Sequence, residues 1–138
     1  MAALKLILKN NISELDHLAR FLEETGDQMG FSMKLVMNLN LVLEELVTNI
    51  IFYGFKDKAP HEISIEFNID DDKIAITITD DGIPFNPTLK DSPDSINKSI
   101  DERDIGGLGI HFVNALMSSM SYERKDNKNI LYLIKTRD

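Results

Sequence analysis

Three short segments of the sequence combine residue types that together could bind and use a nucleotide. The first is Glu45-Leu-Val-Thr-Asn49, the second is Asp80-Asp-Gly82, and the third is Gly106-Gly-Leu-Gly109. Between them they offer a proton acceptor, an oxygen ligand for a metal ion, an acceptor for the amino group of a base, and backbone N–H groups for phosphate. Each segment is common on its own, so their occurrence in this order is the informative feature.

In the first segment, Glu45 and Asn49 share one face of a predicted helix. At about 100° per residue they lie about 40° apart, whereas Glu44 lies about 140° from Asn49. The surrounding face is apolar, which makes a carboxylate and an amide costly there unless something binds them. We predict that the Asn49 carbonyl oxygen binds Mg²⁺ and that Glu45 accepts a proton from an attacking hydroxyl or water. The alternative is that both side chains only hydrogen-bond to neighbouring structure.

The second segment could recognise adenine. Asp80 ends a predicted strand, and an ionised carboxylate only accepts hydrogen bonds, so it matches the exocyclic amino group of adenine and rejects a keto group. Gly82 would allow the backbone to approach the ring closely. The alternative is an ordinary Asp-Asp-Gly turn.

The third segment precedes an apolar pattern that predicts a helix. Gly106, Gly107 and Gly109 would expose backbone N–H groups at the start of that helix, which suits phosphate. The alternative is a flexible lead-in to a helix. Since the chain carries a net charge of -8, an ATP anion also needs a divalent cation and nearby basic groups, for which Lys98 and Arg103 are candidates.

The composition limits the class of protein. The 138 residues suit one domain, and 43% hydrophobic with 28% charged residues is ordinary for a globular fold. The negative charge disfavours nucleic acid and anionic membranes, so we expect protein partners. The chain has no cysteine, which fits a reducing compartment and predicts a cytoplasmic location. We expect no apolar segment to approach the ~20 residues of a membrane span.

Hydrophobic periodicity predicts the elements that must position these residues. The pattern predicts a strand at 3–9, helices at 11–24 and 33–53, and a hairpin at 63–78. It then predicts a long irregular loop at 81–104, a third helix at 105–118 and a last hairpin at 120–135. The two hairpins turn at 70–72 and 126–129. This order predicts a two-layer α/β sandwich, with a mixed, mostly antiparallel sheet and three helices on one face.

Taken with their spacing, the three segments resemble the sequence boxes of the ATP-binding fold shared by gyrase, MutL and histidine kinases. More narrowly, the motif at 45–49 and the runs Asp80-Asp-Gly-Ile-Pro-Phe-Asn-Pro87 and Gly106-Gly-Leu-Gly-Ile-His111 resemble bacterial anti-sigma factors with serine-protein kinase activity. The resemblance covers about residues 35–136. The chain has Pro84 where the wider superfamily has a second glycine, which stiffens the predicted adenine loop.

The resemblance implies roles and partners. It implies that Glu45 is the catalytic base, that Asn49 binds Mg²⁺, and that residues 87–105 form a lid. Asp80 and Gly82 would hold adenine, and Gly106, Gly107 and Gly109 would contact phosphates. It also implies a sigma factor held inactive, an anti-sigma factor antagonist of the STAS type that is phosphorylated on serine, and a homodimer.

Two alternatives stay open at this point. The first is an ATP-binding anti-sigma or adaptor module without kinase activity. The second, ranked last, is a detached catalytic domain of a histidine kinase, which would need a phosphoaccepting histidine on a dimerising helical hairpin.

Overall fold

The computed structural model describes residues 2–89 and 113–137. Within these ranges the chain forms five strands, two long helices and two short 3-10 helices. The strands are β1 (Ala2–Lys9), β2 (Glu62–Ile69), β3 (Lys73–Asp80), β4 (Ser119–Lys125) and β5 (Lys128–Thr136), the helices are α1 (Leu15–Met29) and α2 (Met33–Tyr53), and the 3-10 helices are Ile12–Glu14 and Pro87–Leu89.

The strands form one sheet in the order β1-β2-β3-β5-β4. Each of the four neighbouring pairs is antiparallel, so the sheet predicted as mixed has only antiparallel pairs among the described strands. Alternate residues of the inner strands are buried, as the period of a strand with one covered face requires. They join the buried residues of α1 and α2 in one hydrophobic core, which confirms the predicted two-layer architecture.

Helix α2 has the bounds that the sequence predicted. The Ser32 hydroxyl accepts a hydrogen bond from the Leu35 N–H at 3.1 Å and so caps the first turn. Gly54 follows the last residue, and its N–H donates to the Ile50 carbonyl. Six of its apolar side chains belong to the core: Leu35, Leu39, Val42, Leu43, Leu46 and Val47. The helix is therefore fixed between α1 and the sheet, which also fixes its polar residues.

Helix α1 is longer than predicted. It continues past Glu24 to Met29 and ends at Gly30, whose φ of 73° is the left-handed conformation that glycine adopts easily. The predicted break failed because Gly26 lies inside the helix, where a Cβ would meet Val36 Cγ2 at 2.5 Å. This glycine allows α1 and α2 to approach closely, and that contact between helices is invisible to a local pattern.

Asn11 and Glu14 have the sequence spacing of a capping box, in which each side chain bonds to the backbone N–H of the other residue, but the structure at this point differs. Asn11 accepts from the Ser13 N–H and caps the 3-10 helix. Glu14 accepts from the Lys9 N–H at 3.0 Å and thus bonds to the end of β1. The reciprocal bonds of a capping box would require the Asn11 N–H as donor to Glu14.

The last hairpin has a tighter turn than predicted. Strands β4 and β5 are joined by Asp126 and Asn127 alone, and both have positive φ angles of 53° and 63°. A two-residue turn with these angles matches the right-handed twist of the strands.

The third predicted helix ends earlier than expected. Residues 113–116 are helical and β4 begins at Ser119, while residues 105–112 lie outside the described residues.

Among the described residues, α2 is the one helix long and apolar enough, by length and composition, to cross a membrane. This corrects the expectation that no segment would reach that length. The reason is its run of leucine, valine and isoleucine, and a core helix of a soluble protein meets the same criterion.

The position of α2 in the core predicts unequal costs for two neighbouring leucines. Leu43 is 0% exposed, whereas Leu41 on the same helix is 48% exposed. We expect Leu43→Ala to lower the free energy of unfolding by about 2–5 kcal/mol, because it removes buried apolar atoms and leaves a cavity. Leu41→Ala is the control and should cost less than about 1 kcal/mol. Urea unfolding measures both; equal costs would contradict the packing of α2.

Candidate functional site

A cavity lies between the second half of α2, the end of β3 and the start of β5. Its lining is mostly apolar, with a few polar side chains at its edges. The lining residues are Leu46, Asn49, Ile50, Gly54, Ile78, Asp80, Phe85, Pro87, Tyr122, Asn129 and Leu131. Apolar walls with a few placed polar groups are typical of a site for a flat, partly apolar ligand. Asn49 and Asp80, two of the predicted site residues, thus face the same cavity from different elements.

Asn49 and Glu45 lie one turn apart on α2, as their spacing requires. Asn49 is 5% exposed, and its side chain hydrogen-bonds to the Glu45 carboxylate. Among the described residues, the Glu45 Oε1 atom is buried without a hydrogen-bond partner. Burial raises the pKa of Glu45 above 4.5, the Asn49 bond lowers it, and the charge of the exposed Glu44 raises it further. A half-buried carboxylate with an unsatisfied oxygen and a raised pKa is suited to accept a proton from a ligand.

Asp80 is a buried carboxylate at the end of β3, with 5% of its surface exposed. Its Oδ1 accepts from the Gly82 N–H at 2.9 Å and from the Asn129 side-chain amide at 3.0 Å. The second oxygen, Oδ2, is uncommitted to these two donors. Burial raises the pKa of Asp80, while the bonds from Asn129 and Gly82 lower it. The two bonds therefore orient the carboxylate and favour its charged form.

Gly82 is required by a contact that the sequence did not predict. A Cβ at this position would lie 2.3 Å from the carbonyl oxygen of Gly54, which is backbone and cannot move aside. The next residue, Ile83, donates its N–H to the same Gly54 oxygen at 2.7 Å. The Gly82 loop, defined here as residues 81–86, is thus held against the end of α2. Close approach of the protein's own backbone accounts for the glycine.

Asn129 is a second polar residue at this end of the cavity that sequence reasoning missed. It is 5% exposed, and its amide group donates to Asp80 and to the Ile83 carbonyl at 2.7 Å. Its oxygen accepts from the Tyr122 hydroxyl and the Phe85 N–H. The amide is thereby fully satisfied, and it ties β3, β4, β5 and the Gly82 loop together. Its role follows from the pairing of β3 with β5, which places Asp80 opposite Asn129 and which no local sequence pattern indicates.

Arg124 adds a positive charge near the same loop. Its Nη1 donates to the Gly82 carbonyl at 2.8 Å, and its charge contributes to lowering the pKa of Asp80. No pattern in the sequence singled it out, because it lies on a strand that joins the site only through the sheet order.

The residues present suit a magnesium ion that is carried by phosphates. The described ranges contain no group of three or more histidine, cysteine, aspartate or glutamate side chains that could hold a metal ion. Mg²⁺ commonly uses one or two protein oxygens together with substrate phosphates and water. Asn49, which lines the cavity, supplies an oxygen of that kind.

The other predicted site residues lie outside the described residues. These are Lys98, Arg103, Gly106, Gly107 and Gly109, together with most of the predicted lid. Their proposed roles toward phosphate stay predictions.

Comparison with known proteins gives the class of protein that this fold and cavity represent. Residues 8–135 match the histidine kinase-like ATPase domain. The chain therefore belongs to the histidine kinase-like ATPase domain family, and the family predicted from the three segments is confirmed.

Curated relatives narrow the class. The chain is 30% identical over 109 residues to the serine-protein kinase RsbW of Bacillus mycoides strain KBAB4, an alignment that spans 77% of this chain and 68% of the relative. It is 29% identical over 98 residues to the protein of the same name from Listeria innocua serovar 6a, over 69% of this chain and 62% of the relative. The predicted resemblance to bacterial serine-protein kinases is confirmed.

Solved structures confirm the fold. A blue-light activated histidine kinase of Erythrobacter litoralis EL346 matches 76% of this chain and 31% of its own with a TM-score of 0.55 at 17% identity. The histidine kinase AdeS of Acinetobacter baumannii matches 100% of this chain and 70% of its own with a TM-score of 0.52 at 15% identity. At these identities the likeness concerns architecture alone.

The contact between Gly82 and Gly54 predicts that Gly82→Ala damages both stability and the site. We expect a loss of about 1–3 kcal/mol in unfolding free energy, because the new methyl group overlaps a backbone oxygen. ATP affinity should fall as well, because the Gly82 loop must move away from α2. The control is Gly30→Ala, where the open surroundings leave only the cost of a positive φ, about 1–2 kcal/mol.

Urea unfolding and ATP titration of both variants measure the two effects. Gly30→Ala should leave ATP affinity unchanged. ATP affinity unchanged in Gly82→Ala would contradict the contact.

Proposed function

We propose that this chain is an ATP-dependent anti-sigma factor with serine-protein kinase activity, acting as a single ATP-binding domain. It holds a sigma factor inactive and phosphorylates an anti-sigma factor antagonist of the STAS type on serine. The observation that carries the proposal is the cavity itself, which has an oriented carboxylate, Asp80, and an oxygen ligand, Asn49, among its apolar lining residues. The relatives named serine-protein kinases support the same reading.

The Asp80 end of the cavity suits adenine. The carboxylate accepts a hydrogen bond from the exocyclic amino group, and the apolar walls cover the faces of the ring. Asn129 and Gly82 hold Oδ1 of Asp80, so Oδ2 is the atom proposed to accept from adenine. A base with a keto oxygen at that position would present an acceptor to an acceptor, which is repulsive.

The Glu45 end suits phosphoryl transfer. The oxygen of the substrate serine attacks the γ-phosphorus of ATP, the bond from that phosphorus to the bridging oxygen breaks, and ADP leaves with the electron pair. The serine proton passes to the Glu45 carboxylate, whose Oε1 is buried and unpaired. Such transfer depends chiefly on positioning and on neutralisation of charge.

The negative charge of the ATP phosphates must be offset by a metal ion and by nearby groups of the protein. Asn49 is proposed to bind Mg²⁺, which when bound offsets the negative charge of the phosphates. Lys98 and Arg103 are proposed to add positive charge, and Gly106, Gly107 and Gly109 to donate backbone N–H groups.

The remaining parts of the proposal concern the setting of the protein. We propose a cytoplasmic homodimer whose partners are proteins. The net charge of -8 would repel nucleic acid and anionic membranes at long range, so neither is proposed as a direct partner.

Two neighbouring glutamates allow a matched test of the proposed base. Glu45→Gln removes the proton acceptor with little change in shape, so phosphorylation of the antagonist should fall by at least about 100-fold, within the range of general base catalysis. ATP affinity should stay within about threefold of the unchanged chain, since adenine is held elsewhere. Glu44→Gln is the control, because Glu44 is exposed, and it should retain activity. Transfer of labelled γ-phosphate and calorimetry with ATP measure the two quantities.

The outcomes separate the candidate functions. Transfer at the unchanged rate in Glu45→Gln would show that Glu45 is not the base. ATP binding without transfer to any antagonist, even in the unchanged chain, would favour the adaptor module without kinase activity.

A further inference from the structure

His61 lies between two carboxylates on the outer side of the site. Its Nε2 donates to Asp57 Oδ1 at 2.6 Å, and its Nδ1 donates to Asp81 Oδ1 at 3.0 Å. The imidazole ring stacks on Phe55, with 4.2 Å between ring centres and 10° between planes. The histidine side chain is 16% exposed, whereas both carboxylates are more than half exposed. The ring is therefore held on both edges and on one face.

This arrangement requires both ring nitrogens to carry a proton. Neutral imidazole has one N–H donor and one acceptor nitrogen, while a carboxylate only accepts. One of the two contacts would then place an acceptor against an acceptor. Only the imidazolium form donates to Asp57 and Asp81 together, so the geometry belongs to the charged state.

The two carboxylates belong to segments that meet at the candidate site. Asp57 is part of the α2–β2 connection, defined here as residues 54–61, which begins with the Gly54 carbonyl that receives the Ile83 N–H. Asp81 is the first residue of the Gly82 loop and directly follows Asp80. The His61 side chain therefore connects the α2–β2 connection to the Gly82 loop. The backbone hydrogen bond between Ile83 and Gly54 connects the same two segments.

The α2–β2 connection is itself anchored to Asn10, the residue that follows β1. The Asn10 side chain accepts from the His61 N–H at 3.0 Å and donates to the Ala59 carbonyl at 3.2 Å. The Asn10 N–H donates to the His61 carbonyl at 3.1 Å. The backbone of His61 is thus fixed, so its ring can act on the less constrained Gly82 loop.

We propose that the doubly protonated His61 is a positioning residue for nucleotide binding, which clamps the Gly82 loop to the α2–β2 connection through Asp81 and Asp57. The clamp keeps the backbone around Asp80 in the arrangement that presents its carboxylate to the cavity. The proposal rests on the proposed ATP-binding function and adds to it a dependence on pH.

His61 and Asp81 line a surface groove in which the other charged groups balance in number. Lys5 and Lys9 of β1, Glu62 and Glu66 of β2, Asp80 of β3 and Lys128 of β5 line the same groove. These are three cations and three anions. Asp57 and Asp81, which contact the ring directly, therefore decide its charge.

The direction of the pH effect follows. The bond to Asp57, and to a lesser degree the bond to Asp81, raises the pKa of His61 above 6.5, against an opposing effect of burial. A group with a raised pKa in the folded state contributes its stabilisation fully at low pH and loses it as pH rises through that value. The clamp should hold fully below the ordinary histidine pKa of 6.5 and open as pH rises through the raised pKa of His61.

The test compares ATP affinity of the full chain and of His61→Gln by calorimetry from about pH 6 to about pH 9, with Mg²⁺ in excess. Glutamine carries no positive charge, and its two N–H donors share one nitrogen, whereas His61 uses two separate ring nitrogens for the two carboxylates. At the lower pH the variant should bind ATP about two- to fivefold more weakly, the effect of a partly exposed ion pair. The difference should vanish at the higher pH. Because ATP titrates identically with both proteins, the ratio of affinities isolates His61.

Two further variants serve as a control and as an independent test of the clamp. His17 is a half-exposed residue of α1 whose Nδ1 lies 3.5 Å from the Glu14 carboxylate. His17→Gln therefore removes a histidine paired with a carboxylate away from the site, and it should keep the pH dependence of the unchanged chain. Asp81→Asn removes one carboxylate and should lower the pKa of His61, measured by NMR of the imidazole nitrogens, and shift the loss of affinity to lower pH. This variant serves if His61→Gln does not fold.

The outcomes distinguish this proposal from the proposed function. A ratio of affinities that stays constant with pH, or a pKa of His61 that Asp81→Asn does not lower, would overturn the clamp while ATP binding stands. Absence of ATP binding at every pH would overturn both.

Discussion

A carboxylate buried at the end of a central strand is the feature on which the candidate site depends. Burial alone would drive Asp80 toward its neutral form, because a charge in apolar surroundings is costly. The Gly82 N–H and the Asn129 amide oppose that cost by donating to one oxygen of the carboxylate. These two bonds lower the pKa of Asp80 against the larger effect of burial, which leaves it raised, and they orient the carboxylate as a hydrogen-bond acceptor for a base. The sheet register is what brings Asn129 opposite Asp80.

The rest of the architecture holds the two ends of the cavity at a fixed distance. Core packing fixes α2, and with it Asn49 and Glu45. The Gly82 loop is fixed to the end of the same helix by the contact of Ile83 with the Gly54 carbonyl. A single helix thus sets the position of the proposed base, the proposed metal ligand and the loop behind adenine. The outer clamp at His61 acts on the same junction between loop and helix.

Local patterns were sufficient for much of the fold. The bounds of α2 follow from Ser32, Gly54 and an apolar pattern that no other element could satisfy, and the alternation of isoleucines gave the first hairpin. The end of α1 could not be found in this way. Gly26 resembles a helix stop in the sequence, but in the structure it lies inside the helix, at a close contact with Val36 of α2. The tight turn at Asp126 and Asn127 was missed for want of a glycine, since two polar residues adopt the positive φ angles there.

The site divides in the same way. Glu45 and Asn49 are one turn apart on a helix, so their common face follows from arithmetic. That Asp80 meets Asn49 across a cavity requires tertiary structure, and the family resemblance supplied that expectation. Asn129 and His61 gave no signal, because their roles come from strand register and from a contact between two loops. Residues 90–112, which include the predicted phosphate-binding glycines, lie outside the described residues.

Calorimetric titration with ATP and GTP, each with and without Mg²⁺, tests most directly the claim that Asp80 selects the base. We expect ATP to bind at least about tenfold more tightly than GTP, a difference of about 1.4 kcal/mol. Asp80→Asn, which offers an amide donor to the keto oxygen of guanine, should narrow that difference. Equal affinity for the two nucleotides in the unchanged chain, or no binding of either, would show that Asp80 does not select adenine.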